Sequence, residues 1–539
     1  MAALSEHRVV ADLLRARARE RGERRFCSMG QVVFSYAEMD RRSDQVAAGF
    51  AALGVSRGER VAILSPHRTE MLELFFGLAK LGAVQVPLNA FLKGAFLKHQ
   101  LLDSDASVLV ADAEGLEAAR PLLAELPDLQ TVVVLGEEAP AVAGARVVSW
   151  AQTTTSDAPV PSVELGPEEV FSIMYTSGTT GLPRGCLLSN GYYCRSGLTS
   201  ANALDLDDGD AFFSTLPLFH GGARLMVLMA GLQKGIPVAF DEHFSARAFF
   251  PRAIETGATV VIGLGAMGSA LLALPPGEHD RAHQIHTMMI APMTVADQER
   301  DRERFGIDPW VEVYGQTECV PVTCSPRKGA RDRASCGVPA AHLEVALLDD
   351  DGTPVPDGAA GEICIRPKAP TAMFSGYWNN PEATVEAYRH LWYHTGDLAR
   401  RRQTGALQFV DRKKDSMRRR GENVSSMELE SAIRLHPAVA DVAVHAVPSP
   451  LAEDDIKAVI VLAGHRPSHE ELFAYFRDNL PYFAIPRYVE FVDELPRTAV
   501  GRVMKYELRA RGLSGEVWDF EGLGLSVAKE DRRRSSPVA

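Results

Sequence analysis

A stretch rich in serine, threonine and glycine, Met174–Gly185 (MYTSGTTGLPRG), has the residue types that bind phosphate. It follows the apolar run VFSIM, so it begins where a strand is predicted to end. Glycine lets the backbone approach a ligand closely, hydroxyl and N–H groups donate to an anion, and Arg184 adds a positive charge. The stretch does not match the Walker pattern GxxxxGK[ST]. Composition alone fits a triphosphate loop and a polar surface turn equally well.

Four further stretches follow in order along the chain. They are Tyr314–Glu318 (YGQTE), Tyr393–Asp397 (YHTGD), Asp411–Ser425 (DRKKDSMRRRGENVS) and Pro496–Lys505 (PRTAVGRVMK). With the first stretch, they resemble the motifs of the adenylate-forming (AMP-binding) superfamily, which includes acyl-CoA synthetases, peptide-synthetase adenylation domains and firefly luciferase. The resemblance covers residues 30–511. Within the superfamily, the region DRKKDSMRRRGENVSSMELE and the HPAVADVAVHAVP after it are most similar to CoA ligases, in particular the crotonobetaine/carnitine-CoA ligase-like group.

The resemblance implies an acid–thiol ligase with a two-step reaction. A carboxylate first attacks the α-phosphate of ATP and gives acyl-adenylate and pyrophosphate, with Mg²⁺ as the metal. The CoA thiol then displaces AMP and gives an acyl-CoA thioester. A small C-terminal domain swings between two orientations on a large N-terminal domain, one orientation for each step.

The resemblance also implies roles for single residues. The phosphates would be held by Thr176, Ser177, Gly178, Thr179, Thr180 and Gly181, with Arg184 where the family usually has lysine. The nucleotide would further contact Tyr314 (stacked on adenine), Gly315, Thr317 (at the α-phosphate), and Asp397 and Arg412 (at the ribose). Glu318 would hold Mg²⁺, which prefers carboxylate and phosphate oxygens. Lys414 stands at the hinge position.

The acid and CoA sides are implied in the same way, and each has a structural alternative. His220, in LPLFHGG, resembles a pocket gate, although an isolated histidine is often structural. Arg418, Arg419, Arg420 and Gly421 lie where the family lines its CoA tunnel, but a run of arginines also fits a solvated face. Gly263, Gly265, Ala266 and Gly268 lie where the family builds its acyl pocket. They would leave room for a bulky apolar acid, or else allow tight packing of a helix on a strand.

The last motif departs from the family at its catalytic lysine. The residue after Gly501 is Arg502, where the family lysine bridges the carboxylate and the α-phosphate during adenylation. A guanidinium is broad and planar whereas an ammonium is compact, and a misplacement of about 1 Å can cost about 100-fold in rate. We therefore expect weakened or lost adenylation, with retained thioester formation from an acyl-adenylate supplied by a separate enzyme. One alternative is an ordinary two-step ligase, in which either Arg502 is a tolerated substitution or Lys505 reaches in instead; the other is a non-catalytic acyl-adenylate binder.

Two other enzyme classes are disfavoured. Gly263–Gly268 (GLGAMG) matches the dinucleotide fingerprint GxGxxG, but the following strand HTMMIAP lacks the acidic residue that would hold a ribose. His220-Gly-Gly is compatible with the oxyanion loop of a hydrolase, but the chain has no GxSxG nucleophile elbow.

The pattern of apolar runs predicts an α/β fold. Predicted strands at 60–66, 84–89, 107–112 and 131–136, with a helix at 70–83, indicate a mainly parallel sheet flanked by helices. Alternating residues at 335–411 predict antiparallel hairpins and a small β-barrel subdomain. We expect an N-terminal domain at 1–411, a mobile α+β domain at 412–511 and a solvated tail at 512–539.

Composition excludes several classes of protein. The chain has 539 residues, a formal net charge of −13 and 46% hydrophobic residues, which fits a globular protein of two or more domains. The acidic balance argues against nucleic-acid binding. Seven scattered cysteines without a CxxC pair, no signal peptide and no long apolar run indicate a reduced, cytoplasmic protein without a membrane span.

Overall fold

The structure is a computed structural model that describes residues 7–136, 145–155, 160–176, 182–412, 416–449, 453–496, 503, 505–528 and 532. No helix among these residues is long and apolar enough to cross a membrane. The predicted phosphate-loop residues Ser177, Gly178, Thr179, Thr180 and Gly181, the hinge residue Lys414 and Arg502 lie outside the described residues, as does the side chain of Arg412. The roles assigned to them therefore stay predictions.

The first part of the chain builds a seven-stranded sheet. Its elements, with two strands that join a second sheet, are α1 (Val10–Arg21), β1 (Arg25–Met29), β2 (Val32–Ser35), α2 (Tyr36–Ala52), β3 (Arg60–Leu64), α3 (Thr69–Leu81), β4 (Val84–Leu88), α4 (Gly94–Asp103), β5 (Val108–Ala111), α5 (Ala113–Ala119), a 3₁₀ turn (Arg120–Glu125), β6 (Thr131–Val134), β7 (Arg146–Ser149), α6 (Trp150–Thr154), β8 (Val170–Thr176), β9 (Arg184–Ser189) and α7 (Asn190–Ala203). The strand order is β7-β6-β5-β3-β4-β8-β9, and only β9 is antiparallel. Each strand predicted between residues 60 and 136, and the helix at 70–83, is confirmed, because buried parallel strands are short apolar runs.

A six-stranded sheet follows. Its further elements are β10 (Phe212–Ser214), a π-helical segment (Gly222–Leu228), α8 (Met229–Lys234), β11 (Val238–Phe240), α9 (Ala246–Thr256), β12 (Val260–Leu264), α10 (Gly265–Ala273), β13 (Thr287–Ala291) and α11 (Val295–Phe305). The order is β13-β12-β10-β11-β1-β2, parallel except for the edge strand β2. The fold class, an α/β chain with helix-flanked sheets, is confirmed.

The segment after α11 is antiparallel. It contains β14 (Val313–Gln316), β15 (Cys319–Cys324), β16 (Leu343–Leu348), β17 (Ala360–Pro367), α12 (Pro381–Ala387), a 3₁₀ turn (Arg389–Leu391), β18 (Tyr393–Arg401) and β19 (Leu407–Arg412). Strands β16 to β19 pair in chain order as a four-stranded meander. The predicted hairpins are therefore present, but within the described residues this sheet is open and not a closed barrel, because β16 and β19 remain its two edges.

The C-terminal domain has its own sheet. Its elements are β20 (Ser416–Arg419), β21 (Glu422–Ser425), α13 (Ser426–Ile433), β22 (Val439–Pro448), β23 (Asp454–Leu462), α14 (His469–Asn479), β24 (Tyr488–Val492), α15 (Lys505–Arg511) and β25 (Val517–Asp519). Helix α14 begins with a capping box in which Ser468 and Glu471 satisfy each other's backbone N–H groups. Strand β25 pairs with β24 and Phe520 is buried, so the expectation of a solvated tail from residue 512 is wrong for this segment. Aromatic side chains on a short strand at the sheet edge supply the packing.

Candidate active site

One large cavity lies where the parallel strands of the six-stranded sheet end. Its walls include the ends of β12 and β13, the strands β14 and β15, and residues of β18. The carboxyl ends of strands in an open α/β sheet are the usual place for a ligand. The cavity volume is about 1520 Å³, which exceeds the ~300–1,000 Å³ typical of a site for one small molecule. It therefore has room for more than one ligand group.

Glu318 lies in the wall of this cavity beside the start of the predicted phosphate loop. Its Oε1 accepts a hydrogen bond from the Tyr377 hydroxyl at 3.0 Å, and Thr176 Oγ1 lies 3.5 Å from the same oxygen. Burial, with the Glu318 carboxylate as the second cause, raises the pKa of Tyr377 above its ordinary value. Tyr377 therefore stays protonated and donates to Glu318. Carboxylate and hydroxyl oxygens side by side are ligands that suit Mg²⁺.

A second cluster joins two of the sequence motifs. Tyr314 Oη donates to Asp397 Oδ2 at 2.6 Å, and Gln316 Nε2 donates to the same oxygen at 2.7 Å. Gln316 also donates to the Thr395 carbonyl at 2.9 Å. Asp397 is 3% exposed, and its backbone N–H donates to Thr395 Oγ1 at 3.1 Å. Two donors on one oxygen therefore fix the carboxylate of Asp397 at the cavity wall.

Three more predicted nucleotide residues line the same cavity. Arg184 stacks over the Tyr377 ring at 5.5 Å and lies 3.9 Å from Glu386, so its charge stands in the cavity wall beside Tyr377. Gly315 and Thr317 are both in the wall, and the Thr317 carbonyl accepts from the Tyr192 hydroxyl at 3.0 Å. The bond to buried Tyr192 fixes the backbone that carries Glu318.

The C-terminal domain contacts the N-terminal part through the β20–β21 hairpin. Arg420 and Gly421 both have positive φ angles, 54° and 82°, as a two-residue type I′ turn requires. Gly421 packs on Leu264: a Cβ at Gly421 would lie 2.9 Å from Leu264 Cδ1. Next to it, His220 Nε2 lies 2.8 Å from Glu422 Oε2. The predicted gate histidine is therefore paired with a residue of the other domain.

The three arginines of this hairpin have different surroundings. Arg418 lines the cavity. Arg419 is 5% exposed and forms ion pairs with Asp455 and Glu521 at 3.4 and 3.2 Å, and burial together with Arg420 lowers its pKa to about 10. Arg420 pairs with Glu521 at 3.1 Å. Of the three, Arg418 is the one placed to meet a ligand in the cavity, and Arg419 and Arg420 bind the C-terminal segment.

The glycine-rich stretch expected in the acyl pocket divides between two roles. Gly263 lines the cavity, but Gly265, Ala266 and Gly268 are not among the described residues that line it. A Cβ at Gly265 would lie 2.1 Å from the Pro292 carbonyl oxygen, and one at Gly268 would lie 2.6 Å from Met293 Cε. Gly265 and Gly268 therefore serve the tight packing of α10, which was the alternative reading of this pattern.

Lys505, the residue considered as a substitute for the family lysine, is engaged inside its own domain. Its Nζ lies 2.7 Å from both Glu430 Oε1 and Ser426 Oγ. It does not line the cavity within the described residues. In this arrangement of the domains Lys505 cannot act on a substrate.

Sequence reasoning missed several residues of the site. Gln316 lies inside a recognised motif, so its position was a usable signal. Tyr377 and Glu422 had no usable sequence signal, because only the folding of the chain brings them to the site. Tyr377 lies in the loop before α12, and Glu422 is 202 residues away from His220 in the sequence. Glu362 and His394, paired at 3.0 Å, also line the cavity, and Glu362 accepts from the Gly396 N–H beside Asp397.

Comparisons with known proteins agree with this geometry. The family model described as "AMP-binding enzyme" matches residues 14–378, and that of the "AMP-binding enzyme C-terminal domain" matches residues 428–502. The crotonobetaine/carnitine–CoA ligase of Salmonella agona is 32% identical over 482 residues, which is 88% of this chain and 93% of that protein.

Two solved structures of o-succinylbenzoate–CoA synthetase from Bacillus subtilis are also similar. A double mutant bound to its product analogue OSB-NCoA has a TM-score of 0.81 at 25% identity, covering 93% of this chain and 98% of that one. The AMP complex of that enzyme has a TM-score of 0.65 at 25% identity, covering 92% and 98%. Matches of this length and identity show common descent. The chain therefore belongs to the family of AMP-binding enzymes.

Proposed function

We propose that this chain is an acyl-CoA ligase that forms an acyl-CoA thioester from an acyl-adenylate, with the adenylation half-reaction weakened or lost because Arg502 replaces the family lysine. The observation that carries the proposal is the docking of the β20–β21 hairpin on the cavity through Gly421 and the His220–Glu422 pair. This hairpin supplies Arg418, a positive charge that would attract the phosphates of CoA.

The arrangement of the two domains supports the thioester-forming orientation. The two Bacillus subtilis structures are of one enzyme and align over the same share of its chain, yet the TM-scores are 0.81 for the product-analogue complex and 0.65 for the AMP complex. A difference of that size between structures of one enzyme is expected when its domains are placed differently. The present chain resembles the structure that holds the CoA-type product analogue.

The second half-reaction needs residues that hold the AMP moiety and a water-free path for the CoA thiol. The AMP moiety of the adenylate would be held by the Tyr314–Asp397 pair at the ribose and by Arg184 and Thr176 at the phosphate. The CoA sulfur would attack the acyl carbonyl carbon, the carbon–oxygen bond to AMP would break, and the thiol proton would leave to solvent. The hairpin then excludes water and keeps the thiol path in place.

The first half-reaction would use Glu318. The Glu318 and Thr176 oxygens fit Mg²⁺, which when bound would neutralise charge on the phosphates of ATP. A carboxylate oxygen of the substrate acid would attack the α-phosphorus of ATP, and pyrophosphate would leave. The ion pair of Lys505 with Glu430 supports the view that Lys505 does not replace the family lysine.

The test compares both half-reactions in the wild type and in Arg502→Lys. Pyrophosphate release is measured with ATP, Mg²⁺ and a panel of carboxylic acids, and acyl-CoA formation is measured from synthetic acyl-adenylates and CoA. We expect a gain of about 100-fold in pyrophosphate release on the best acid in Arg502→Lys, with thioester formation changed by less than about threefold. The control Arg509→Lys makes the same exchange at an exposed position of α15.

Two results would contradict the proposal in different ways. If the wild type already releases pyrophosphate as fast as Arg502→Lys, the chain is an ordinary two-step acyl-CoA synthetase. If neither protein forms thioester from any supplied adenylate that it binds, the chain is a non-catalytic binder of acyl-adenylates.

A further inference from the structure

The cavity has two chemically different ends. The polar end carries Glu318, Asp397 and Arg184 and the tyrosines bonded to the two carboxylates. The other end is built from four segments, 216–226, 262–264, 289–293 and 311–313. Its larger side chains are Leu216, Met226, Ile262, Leu264, Met289 and Val313. We call this set the apolar wall.

Strand register shows that the apolar wall is continuous. Ser214 pairs with Ile262, and Ile262 pairs with Met289, so the parallel strands β10, β12 and β13 end side by side. Leu216 lies two residues beyond the end of β10, and Met289 also bridges to Trp310, the residue before Val311. Residues at the same level of neighbouring strands therefore present their side chains to one space.

The π-helical segment closes the apolar wall. Gly222 and Met226 of this segment line the cavity, and Met226 is 7% exposed. A π-helical turn is wider than an α-helical one and is frequent at functional sites. Methionine adapts its shape to an apolar ligand because its side chain is unbranched and polarizable. The segment therefore suits contact with a hydrocarbon group.

Among the described residues, those members of the four segments that line the cavity include no acidic, basic or aromatic side chain. Charged side chains near the apolar wall have partners of their own: Glu422 lies 2.8 Å from His220, Arg333 lies 2.7 Å from Asp308, and Glu453, which also lines the cavity, accepts from the Gly421 N–H at 3.0 Å. A quaternary ammonium group is held in proteins by aromatic faces or by carboxylates. Placing such a cation against the apolar wall removes it from water with no compensating partner, which is strongly unfavourable.

We propose that the acyl group accepted by this chain has an uncharged, apolar tail, and that acids carrying a quaternary ammonium group are rejected. The inference rests on the proposed function, because it assigns the apolar wall to the acyl group of the adenylate. It separates this chain from the crotonobetaine/carnitine ligases that it resembles in sequence. The glycine-rich stretch in the sequence favours an apolar substrate. Here the same expectation rests on the side chains of the apolar wall.

A matched pair of ligands tests this assignment. The probes are acyl-sulfamoyl adenosines, stable analogues of acyl-adenylates, that carry 4-(trimethylammonio)butanoyl, its neutral isostere 5,5-dimethylhexanoyl, or acetyl. Binding to the full chain is measured by calorimetry. We expect the neutral isostere to bind about 100-fold or more tightly than the cation, because the two differ in charge and hardly in shape.

Each other outcome is decisive. Equal or tighter binding of the cationic probe overturns the inference, as does binding of the acetyl probe with rejection of both longer ones. Failure of all three probes overturns the proposed function itself, and the inference falls with it. The two failures are therefore distinguishable.

A variant pair locates the effect at the apolar wall. Met226→Glu places a carboxylate there, and Met226→Gln is its neutral counterpart of equal size. We expect Met226→Glu to narrow the preference for the neutral probe by about 10-fold or more and Met226→Gln to retain it. Thermal unfolding shows whether both variants fold. The same preference in folded Met226→Glu and in the wild type would overturn the placement of the acyl group.

Discussion

His220 Nε2 lies 2.8 Å from Glu422 Oε2, and this contact joins the N-terminal part of the chain to the C-terminal domain. Glu422 follows directly on Gly421, whose backbone packs on Leu264. Rotation of the C-terminal domain away from the cavity would therefore break both contacts together. The His220–Glu422 pair is a marker of the arrangement in which the hairpin closes the cavity.

Removing the charge of Glu422 is expected to weaken this arrangement. In Glu422→Gln, thioester formation from a supplied acyl-adenylate should fall by about twofold to fivefold, because the carboxylate of this single contact at the domain boundary is lost while its shape is kept. Single-turnover acyl-CoA formation measures this, with Glu470→Gln on the exposed start of α14 as the control. An equal loss in both variants, or no loss in Glu422→Gln, would contradict the coupling.

Gly421 is expected to matter for docking beyond its backbone conformation. Gly421 and Gly358 both have a φ of +82°, but a Cβ at Gly358 would meet no atom within 4 Å whereas one at Gly421 would press on Leu264. Alanine at either position strains the backbone by about 1 kcal/mol. We expect both variants to lose similar stability in urea and only Gly421→Ala to lose about fivefold or more in thioester formation. Similar activity losses in both would show that strain alone is responsible.

Asp301 of α11 is expected to make stability depend on pH. Its side chain is fully buried, and neither carboxylate oxygen has a hydrogen-bond partner within the described parts of the chain. Burial, with Asp297 as the second cause, raises the pKa of Asp301 to about 7. The folded chain then binds this proton more tightly than the unfolded chain, whose aspartate pKa is about 4. The free energy of unfolding therefore decreases as the pH rises from ~4 to ~7.

We expect Asp301→Asn to be more stable than the wild type at pH 8, by on the order of 2 kcal/mol, and to lose that advantage at pH 4.5. Urea unfolding at the two pH values measures this. Asp357→Asn, at an exposed loop residue, is the control and should track the wild type. A stability difference that is the same at both pH values would show that Asp301 does not titrate in this range.

The segment beyond α15 is expected to contribute to the stability of the C-terminal domain. Phe520 is 1% exposed and contacts the rings of Phe473 and Phe476. Phe520→Ala should reduce the free energy of unfolding of this domain by about 3–5 kcal/mol. Leu523→Ala, at a residue 52% exposed, should change it by less than about 0.5 kcal/mol. Equal effects would show that this segment does not pack as described.

Much of the N-terminal part was predictable from local sequence. The strand runs at β3 to β6 and the helix α3 are short, apolar and punctuated by proline and glycine, so their type follows from nearby residues. The family motifs are also local, and Tyr314, Glu318 and Asp397 each line the predicted site. The acyl-pocket glycines show the limit of such patterns, because a glycine that leaves room for a ligand and one that admits a neighbouring backbone look alike in sequence.

By itself, the sequence determined the family, the order of the motifs and the departure at Arg502, because these are properties of residue identity and spacing. Only the tertiary structure decided that Glu422 meets His220, that Tyr377 donates to Glu318, and that Phe520 anchors a strand. These contacts join residues far apart in the chain, and their formation depends on how whole sheets and domains pack. The tertiary structure also decided that the acyl end of the cavity is apolar, because the side chains of the apolar wall come from four separate segments.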